Sequence, residues 1–254
     1  MYVCQLTFEV VADFELDMAQ RAISKLLDEY RYNGQIIGRE FPVIFTGEHF
    51  EVLFVCPEQD SISPEHNNQL VTEAFEDVVN VGLSLPNFEL KGLESQSDFV
   101  DVCEQPRELV VYSTFVQSCS PVRCLEHFSP VPLYKFPVAV RKPFVKWQES
   151  HAACDQLQMN ELSTLEKGTL AQLSELDSEL NTKARELAKH IEQTSGSKVY
   201  LYLYRVGGDS LLTESQRKCP GCGGDWKLEQ PLFDLFDFKC ENCQLLSNIS
   251  WNWQ

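Results

Sequence analysis

The C-terminal stretch Arg217–Trp251 reads RKCPGCGGDWKLEQPLFDLFDFKCENCQLLSNISW and contains two Cys-x2-Cys pairs with 17 residues between them. The first pair is Cys219 with Cys222, and the second is Cys240 with Cys243. Four thiolates at this spacing are typical of a tetrahedral Zn²⁺ site, in which two tight turns are joined by a hairpin. Four protein ligands leave no open position for water or substrate, so we expect one structural zinc ion.

Two other interpretations of the cysteine pairs are rubredoxin-like iron and a thioredoxin-like redox pair. The redox interpretation leaves one of the two pairs unexplained. Glycines around the first pair suit a tight turn, because they let backbone N–H groups approach the thiolates. No glycine follows Cys243. We predict a zinc ribbon over residues 208–254, with short strands at Trp226–Leu228, Phe236–Lys239 and Leu245–Trp251.

The first 95 residues alternate between the two-residue period of strands and the 3.6-residue period of helices. Strands are predicted at residues 2–11, 35–45, 49–56 and Phe88–Leu93, and a helix at residues 15–32. Ser63 and Pro64 predict the start of a second helix, as its cap and its first turn. The resulting order, β-α-β-β-α-β, is that of a ferredoxin-like sandwich, which we predict over residues 1–95.

For residues 96–207 the sequence pattern predicts a strand, a proline-rich loop, a long helical region and a further strand. The strands are expected at residues 108–117 and Lys198–Val206, and five prolines predict non-helical chain over 119–143. The helical region is expected from Val145 to Thr194, with Gly168 as a break. Its apolar stripe favours core packing over a coiled coil and comprises Leu170, Leu173, Leu176, Leu180, Ala184, Leu187 and Ile191. The predicted fold class is therefore α+β.

Composition narrows the function further. The 254 residues include 21 basic and 38 acidic side chains, for a net charge of −17, which argues against coating nucleic acid through bulk charge. The 43% hydrophobic content excludes wholesale disorder. The N-terminus has no signal-peptide pattern and no apolar run is long enough to cross a membrane. We therefore expect a cytoplasmic protein whose ten cysteines are thiols and metal ligands.

Two further groups of residues could carry chemistry. Cys119, Cys124 and His127, with Cys103 upstream, could form a second metal site, although their spacing matches no tight turn and buried thiols are the alternative. His151 and Cys154 lie three residues apart on a predicted helix and could form a nucleophilic pair. Such a pair requires an orienting third group, which the sequence does not show. No phosphate-binding loop, Gly-x-Ser-x-Gly or His-Glu-x-x-His motif is present.

The stretch Arg217–Trp251, together with KVYLYLYRVGGDS at Lys198–Ser210, resembles a family of uncharacterised bacterial proteins. That family is described as containing a zinc ribbon and as a candidate for nucleic-acid binding. The resemblance covers most of the chain, and its four cysteines map to Cys219, Cys222, Cys240 and Cys243. It implies one zinc ion at these positions, whereas the implied nucleic-acid binding rests on the ribbon itself.

Local charge allows the nucleic-acid interpretation to be weighed. Residues 216–254 contain four basic and five acidic side chains, so the ribbon lacks the basic stripe that supplies phosphate affinity. Its aromatic residues could form either a base-stacking platform or a small core with a docking surface, and they are Trp226, Phe233, Phe236, Trp251 and Trp253. The expected function is a non-catalytic zinc-binding adaptor for a protein or nucleoprotein. The alternatives are nucleic-acid binding through the ribbon and an enzyme with an unrecognised site in the α+β domain.

Overall fold

The computed structural model describes residues 1–160 and 163–253, which form a mixed α+β protein. The chain forms two compact units. The first comprises Met1–Val100, Ser118–Ser120 and Pro130–Val145, and the second comprises the remaining residues. The predicted middle segment, residues 96–207, therefore contributes to both units. The division into segments 1–95, 96–207 and 208–254 stays a prediction about domains.

The first unit contains a four-stranded antiparallel sheet and two helices. Its strands are β1 (Tyr2–Glu9), β2 (Val43–Phe45), β3 (His49–Cys56) and β4 (Asn87–Leu93), and its helices are α1 (Leu16–Tyr32) and α2 (Gln69–Asn80). The sheet order is β2-β3-β1-β4, and the chain order is the expected β-α-β-β-α-β. Strand β2 is much shorter than predicted, because Ile37 makes only an isolated bridge to Val55.

Alternation along the strands places one face of this sheet in the core. The buried strand residues are Cys4, Leu6, Phe8, Phe50, Val52, Phe54 and Cys56. The helices cover them with Ala19, Ile23, Leu26, Leu27, Tyr30, Val71, Ala74 and Val78. These are the periods that predict a strand and an amphipathic helix, so the packing follows directly from the sequence pattern.

The start of α2 differs from the prediction. Pro64–His66 form a separate 3₁₀ turn, and the side chain of Ser63 makes no capping hydrogen bond. The helix begins at Gln69, where the Asn68 side chain accepts a hydrogen bond from the Val71 amide at 2.9 Å. Asn68 is the effective cap because its backbone is extended and its carboxamide reaches the free amides of the first turn.

The second unit contains a six-stranded sheet in the order β6-β5-β7-β10-β9-β8. Its strands are β5 (Glu108–Val111), β6 (Val122–Cys124), β7 (Lys198–Leu203), β8 (Lys227–Leu232), β9 (Phe236–Cys240) and β10 (Leu245–Ser247). Strand β10 pairs in parallel with β7, with Leu245 opposite Leu201. The strands of the cysteine-rich segment therefore continue the sheet of the middle region and do not form a sheet of their own.

Four helices complete the described chain, and they correct two predictions. They are α3 (Val138–Met159), α4 (Ser163–Ser174), α5 (Glu179–Ser195) and α6 (Leu211–Ser215). The expectation of non-helical chain through residue 143 is wrong, because α3 includes Pro143 at the loss of one backbone hydrogen bond. Gly168 lies inside α4 and breaks nothing. Within the described residues, the helical region is interrupted at residues 175–178, where the Ser178 side chain accepts a hydrogen bond from the Asn181 amide and caps α5. Residues 161 and 162 of the predicted helical region lie outside the described residues.

The apolar stripe of α5 is buried within the chain, as core packing requires. Leu180, Ala184, Leu187 and Ile191 are all buried. The helix ends as predicted at Ser195, followed by Gly196 in the left-handed conformation with φ of 73°. Within residues 1–160 and 163–253, no helix combines the length and apolar character needed to cross a membrane.

Candidate metal centre

The four cysteines of the two Cys-x2-Cys pairs meet at the ends of β9 and β10. The Sγ atoms of Cys219, Cys222, Cys240 and Cys243 all lie within 4.8 Å of one another. Cys222 Sγ and Cys240 Sγ are 3.7 Å apart. In a tetrahedron with zinc–sulfur bonds of about 2.3 Å, the sulfur–sulfur edge is about 3.8 Å. The donor set and its spacing therefore fit a tetrahedral metal ion such as Zn²⁺.

The first turn, at Cys219–Cys222, is closed by backbone hydrogen bonds. The Gly223 amide donates to the Cys219 carbonyl at 2.8 Å, and the Cys219 amide donates to the Gly224 carbonyl at 2.9 Å. The amides of Gly221 and Cys222 donate to the Cys219 sulfur. Gly223 has a φ of 71°, a conformation that glycine adopts without the strain of a side chain. The glycines predicted to suit this turn therefore have a defined geometric role.

Gly221 has a second reason to be glycine. A Cβ atom at this position would lie 2.7 Å from Cys243 Sγ and 3.2 Å from Cys243 Cβ. A side chain at residue 221 would therefore push the second cysteine pair away from the first. The two turns can approach each other this closely because residue 221 has no side chain.

The second turn, at Cys240–Cys243, uses Gln244 where the first turn uses Gly223. Gln244 has a φ of 53°, so a non-glycine residue adopts the left-handed conformation here. Its carbonyl accepts a hydrogen bond from the Leu201 amide at 2.9 Å, and its side-chain amide donates to Glu192. Gln244 therefore takes the position that Gly223 has in the first turn, and its hydrogen bonds to β7 and α5 hold it there.

Glu241, inside the second turn, ties that turn to β7. Its carboxylate pairs with Lys198 at 2.5 Å and with Lys239 at 2.9 Å, and it accepts a hydrogen bond from the Tyr200 hydroxyl at 2.5 Å. Burial opposes ionisation of this carboxyl, but the three partners prevail and lower the pKa of Glu241 to about 2. The turn is therefore held by charged contacts as well as by the strand pairing.

The pKa values of Cys219, Cys222 and Cys243 depart from the ordinary value of cysteine, in both directions. Burial raises the pKa of Cys219, and burial together with the three neighbouring thiols raises the pKa of Cys243 to about 12. The Gly224 amide and the neighbouring thiols lower the pKa of Cys222. Four thiolates at this separation repel one another unless a cation lies between them, which is the electrostatic condition that a bound metal ion satisfies.

The aromatic residues of this segment whose side chains are described are divided between the core and the surface. Trp226 and Phe236 are buried, and Trp226 packs against Phe238 with 5.1 Å between ring centroids. Phe233 and Trp251 are exposed, while the side chain of Trp253 lies outside the described residues. Two of the five aromatic residues, Trp226 and Phe236, therefore belong to the core, and alternation along β9 turns Phe236 inward together with Phe238.

A second group of metal-ligand residues is also brought together. It contains three of the sequence candidates, Cys103, Cys124 and His127, and it adds Asp101. Cys119 is not a member of this group. Asp101 could not be selected from the sequence, because nothing distinguishes it there from the other acidic residues of a strongly acidic chain.

The pair of His151 and Cys154 is not supported as a nucleophilic site. His151 is buried, its Nδ1 atom has no hydrogen-bond partner, and its ring lies 5.0 Å from that of Trp147. Burial lowers the pKa of His151 to about 4 and raises the pKa of Cys154. A raised thiol pKa disfavours the thiolate that nucleophilic catalysis requires.

His151 instead lines a cavity of about 420 Å³ in the second unit. Two further buried polar atoms without hydrogen-bond partners belong to residues that line the same cavity, Ser113 Oγ and Gln158 Oε1. Aromatic side chains form much of its wall, among them Tyr112, Tyr202, Tyr204 and Trp251. The sequence pattern contains no signal for this cavity, since its residues come from the loop after β5, from α3, from β7 and the residue after it, and from the C-terminal segment.

The fold and the site together define a mixed α+β protein with a four-cysteine group. Three domains of unknown function match the chain: DUF8589 over residues 1–92, DUF2310 over residues 103–204 and DUF8594 over residues 208–253. An uncharacterised protein of Haemophilus influenzae is 42% identical over 260 residues, which cover 99% of both chains. The chain belongs to the same family as this protein.

Two other similarities cover less of the chain. A second uncharacterised protein of Haemophilus influenzae is 42% identical over 197 residues, which cover 76% of this chain and 96% of the relative. The solved structure of a candidate antibiotic biosynthesis monooxygenase from Deinococcus radiodurans is 11% identical, with a TM-score of 0.28. That similarity covers 40% of this chain and 100% of the solved one.

Proposed function

We propose that this protein is a non-catalytic Zn²⁺-binding protein in which Cys219, Cys222, Cys240 and Cys243 hold one structural ion. The observation that carries the proposal is the convergence of the four Sγ atoms within 4.8 Å. A site closed by four protein ligands stabilises structure and leaves no position for a substrate. The reduced thiols it requires are consistent with a cytoplasmic protein.

The proposal extends to the architecture around the site. We propose that the two turns and the strands β8, β9 and β10 form a zinc ribbon, in which a bound ion would join the turn after α6 to the turn between β9 and β10. For the first unit we propose a ferredoxin-like class, on the basis of the β-α-β-β-α-β order and the antiparallel sheet order β2-β3-β1-β4.

Metal analysis of the full chain tests the zinc assignment. Zinc should copurify with the wild-type protein, and Cys219→Ser combined with Cys222→Ser should remove one zinc ion per chain. Cys154→Ser is the matched control, since Cys154 is a half-buried cysteine outside both metal-ligand groups. Iron in place of zinc, or unchanged zinc content in the double variant, would refute the assignment.

We propose that the zinc ribbon acts as an adaptor that binds a protein or nucleoprotein. Its four basic and five acidic residues give it no excess of positive charge, and burial of Trp226 and Phe236 removes two residues from any stacking platform. Direct nucleic-acid binding is the alternative. It predicts an affinity for RNA or DNA that falls steeply between low and moderate salt, because phosphate contacts release counterions.

Partner recovery from cells separates the adaptor from a merely structural ribbon. Phe233→Glu changes an exposed ribbon residue and should abolish recovery of a partner that contacts the ribbon. Leu165→Glu is the matched control, because Leu165 is exposed in the same unit but lies outside residues 208–254 and does not line the cavity described above. Equal loss with both variants, or no loss with either, would remove the ribbon as the contact surface.

A second candidate function is small-molecule binding in the 420 Å³ cavity, which would be the basis of the enzyme alternative. The observation that favours it is the set of three unpartnered polar atoms on His151, Ser113 and Gln158. A planar aromatic amide could pack against the aromatic walls of the cavity and donate a hydrogen bond to Gln158 Oε1. Benzamide is a suitable probe, and ligand-observed NMR should show binding that Gln158→Met abolishes. No binding at millimolar benzamide would remove this candidate in its aromatic-amide form.

A further inference from the structure

We propose that Asp101, Cys103, Cys124 and His127 form a second metal site that binds one Zn²⁺ ion independently of the four-cysteine group. The four side chains come from two separate segments of the second unit, residues 101–103 and 124–127. One ligand atom of each lies within 4.8 Å of the others.

Distances around the imidazole fit a tetrahedral ion. His127 Nδ1 lies 3.7 Å from Cys103 Sγ and 4.0 Å from Cys124 Sγ. With zinc–sulfur bonds of about 2.3 Å and a zinc–nitrogen bond of about 2.0 Å, the tetrahedral sulfur–nitrogen edge is about 3.5 Å. The Asp101 Oδ1 atom lies 2.8 Å from the same nitrogen. A small opening of this one contact would admit the ion among all four donors.

The turn at Cys124–His127 repeats the geometry of the turn at Cys219–Cys222. The amide two residues after Cys124, that of Glu126, donates to Cys124 Sγ at 3.4 Å, and the His127 amide donates to the same sulfur. The amide four residues on, that of Phe128, donates to the Cys124 carbonyl at 2.9 Å. The same three hydrogen bonds surround Cys219, so Cys124-x2-His127 is built as a metal-binding turn.

The residue after the second ligand strengthens this correspondence. Phe128 has a φ of 58°, close to the 71° of Gly223 and the 53° of Gln244. A left-handed backbone is strained for a bulky side chain, and such strain concentrates at functional sites. In all three turns a residue with a left-handed backbone directly follows a metal-ligand residue. In the turn at Cys124–His127 that residue is Phe128, whose bulky side chain disfavours this conformation.

The Asp101 carboxylate gives an independent reason for a cation. Its side chain is only 1% exposed, and one of its oxygens already accepts a hydrogen bond from the Cys103 amide at 3.3 Å. A buried carboxylate costs free energy unless it is hydrogen-bonded and paired with a positive charge. A metal ion among these four donors supplies it, and it would fasten the segment 101–103 to strand β6.

The donor chemistry selects the class of metal. Two thiolates and an imidazole suit Zn²⁺, whereas Ca²⁺ and Mg²⁺ require oxygen ligands. Two metal-free arrangements compete with this proposal. One is a disulfide between Cys103 and Cys124, and the other is an ion pair between Asp101 and a protonated His127.

Zinc counting on the full chain, purified with a thiol reductant, tests the proposal. Wild-type protein should contain two zinc ions per chain, and Cys103→Ser and His127→Gln should each contain one. These two positions are chosen because Cys124 is fully buried in β6, whereas His127 and Cys103 are partly exposed. The matched controls Cys154→Ser and His190→Gln should keep both ions.

The double variant Cys219→Ser with Cys222→Ser makes the two sites distinguishable. It should retain one ion, and Co²⁺ bound in its place should show thiolate charge-transfer absorption that His127→Gln, added to the same chain, removes. The proposal is overturned if Cys103→Ser and His127→Gln keep the wild-type zinc content, or if a Cys103–Cys124 disulfide persists in the reduced protein. Either result would leave the four-cysteine site unaffected.

Discussion

Two groups of metal-ligand residues in the second unit share one turn geometry but differ in how clearly the sequence indicates them. The four-cysteine group repeats a Cys-x2-Cys pair, and each pair lies on one tight turn. The second group combines a single turn, Cys124–His127, with Asp101 and Cys103 from a distant segment. A turn can therefore have the backbone conformation and the N–H···S hydrogen bonds of a Cys-x2-Cys turn without a recognisable sequence motif. These features define such a turn more fully than the spacing of its ligand residues does.

The same contrast explains what the sequence could predict. Apolar periodicity identified β1, β3, α1 and the buried stripe of α5, because their side chains pack along a regular local pattern. The parallel pairing of β10 with β7 could not be predicted, since it joins residues more than forty positions apart. Asp101 was missed for the same reason: only the fold brings it to His127.

Local chemistry also misled in particular places. Ser63 and Pro64 are good start signals for a helix, but Asn68 lies nearer to the free amides of α2 and caps it. Gly168 is tolerated inside α4 because helix interiors accept glycine at a cost of about 1 kcal/mol. Among the aromatic residues of the cysteine-rich segment, composition could not distinguish buried Phe236 from exposed Phe233, since Phe236 lies on the inward face of β9 and Phe233 lies between β8 and β9.

The largest expected effect is loss of the metal from the four-cysteine group. Removing zinc with a chelator, or by Cys219→Ser with Cys222→Ser, should unfold strands β8–β10 and weaken their pairing with β7. Structural zinc sites contribute on the order of 10 kcal/mol to folding. Hydrogen exchange should lose protection in β9 and β10 while β1 and β3 of the other unit stay protected. Loss of protection in β1 equal to that in β9 would contradict the assignment of the metal to the second unit alone.

A smaller expected effect is the pH dependence of stability that arises from His151. It serves as a reference for the two metal-ligand groups because His151 belongs to neither of them. The pKa of His151 is about 4 in the folded protein, below its ordinary value of about 6.5. The unfolded chain therefore binds the proton first as pH falls, so stability is lost between about pH 6.5 and pH 4. The loss should approach roughly 3 kcal/mol.

Chemical denaturation at several pH values checks this prediction. The variant His151→Phe should lack this component, while the exposed control His190→Gln should keep it. A wild-type curve and a His151→Phe curve with the same pH dependence would show that His151 does not contribute to acid lability.

The second group should contribute less to stability than the first. His127→Gln leaves the six-stranded sheet intact and releases only the segment 101–103, so we expect a loss of about 1–3 kcal/mol. Thermal unfolding followed by circular dichroism measures it, with Glu126→Gln as the control because Glu126 is an adjacent acidic residue outside the ligand group. Destabilisation as large as that of the four-cysteine variant would erase the distinction drawn between the groups.

The smallest effect concerns the left-handed turn residues. Gly223→Ala should cost about 1 kcal/mol, because alanine is strained at a φ of 71°, and it should weaken zinc binding. Gly47→Ala is matched to it: Gly47 also has a positive φ, and a Cβ at either position meets nothing within 4 Å. Competition with a chromogenic zinc chelator should show weaker binding only for Gly223→Ala. Equal zinc affinity in the two variants would mean that this turn does not govern metal binding.

The most direct test of the central claim is the zinc content of the full chain before and after removal of Cys219 and Cys222. The account predicts that Cys219→Ser with Cys222→Ser lowers the zinc content by one ion per chain, while Cys154→Ser leaves it unchanged. Iron in the wild-type protein, or a zinc content that the double variant does not alter, would contradict the account.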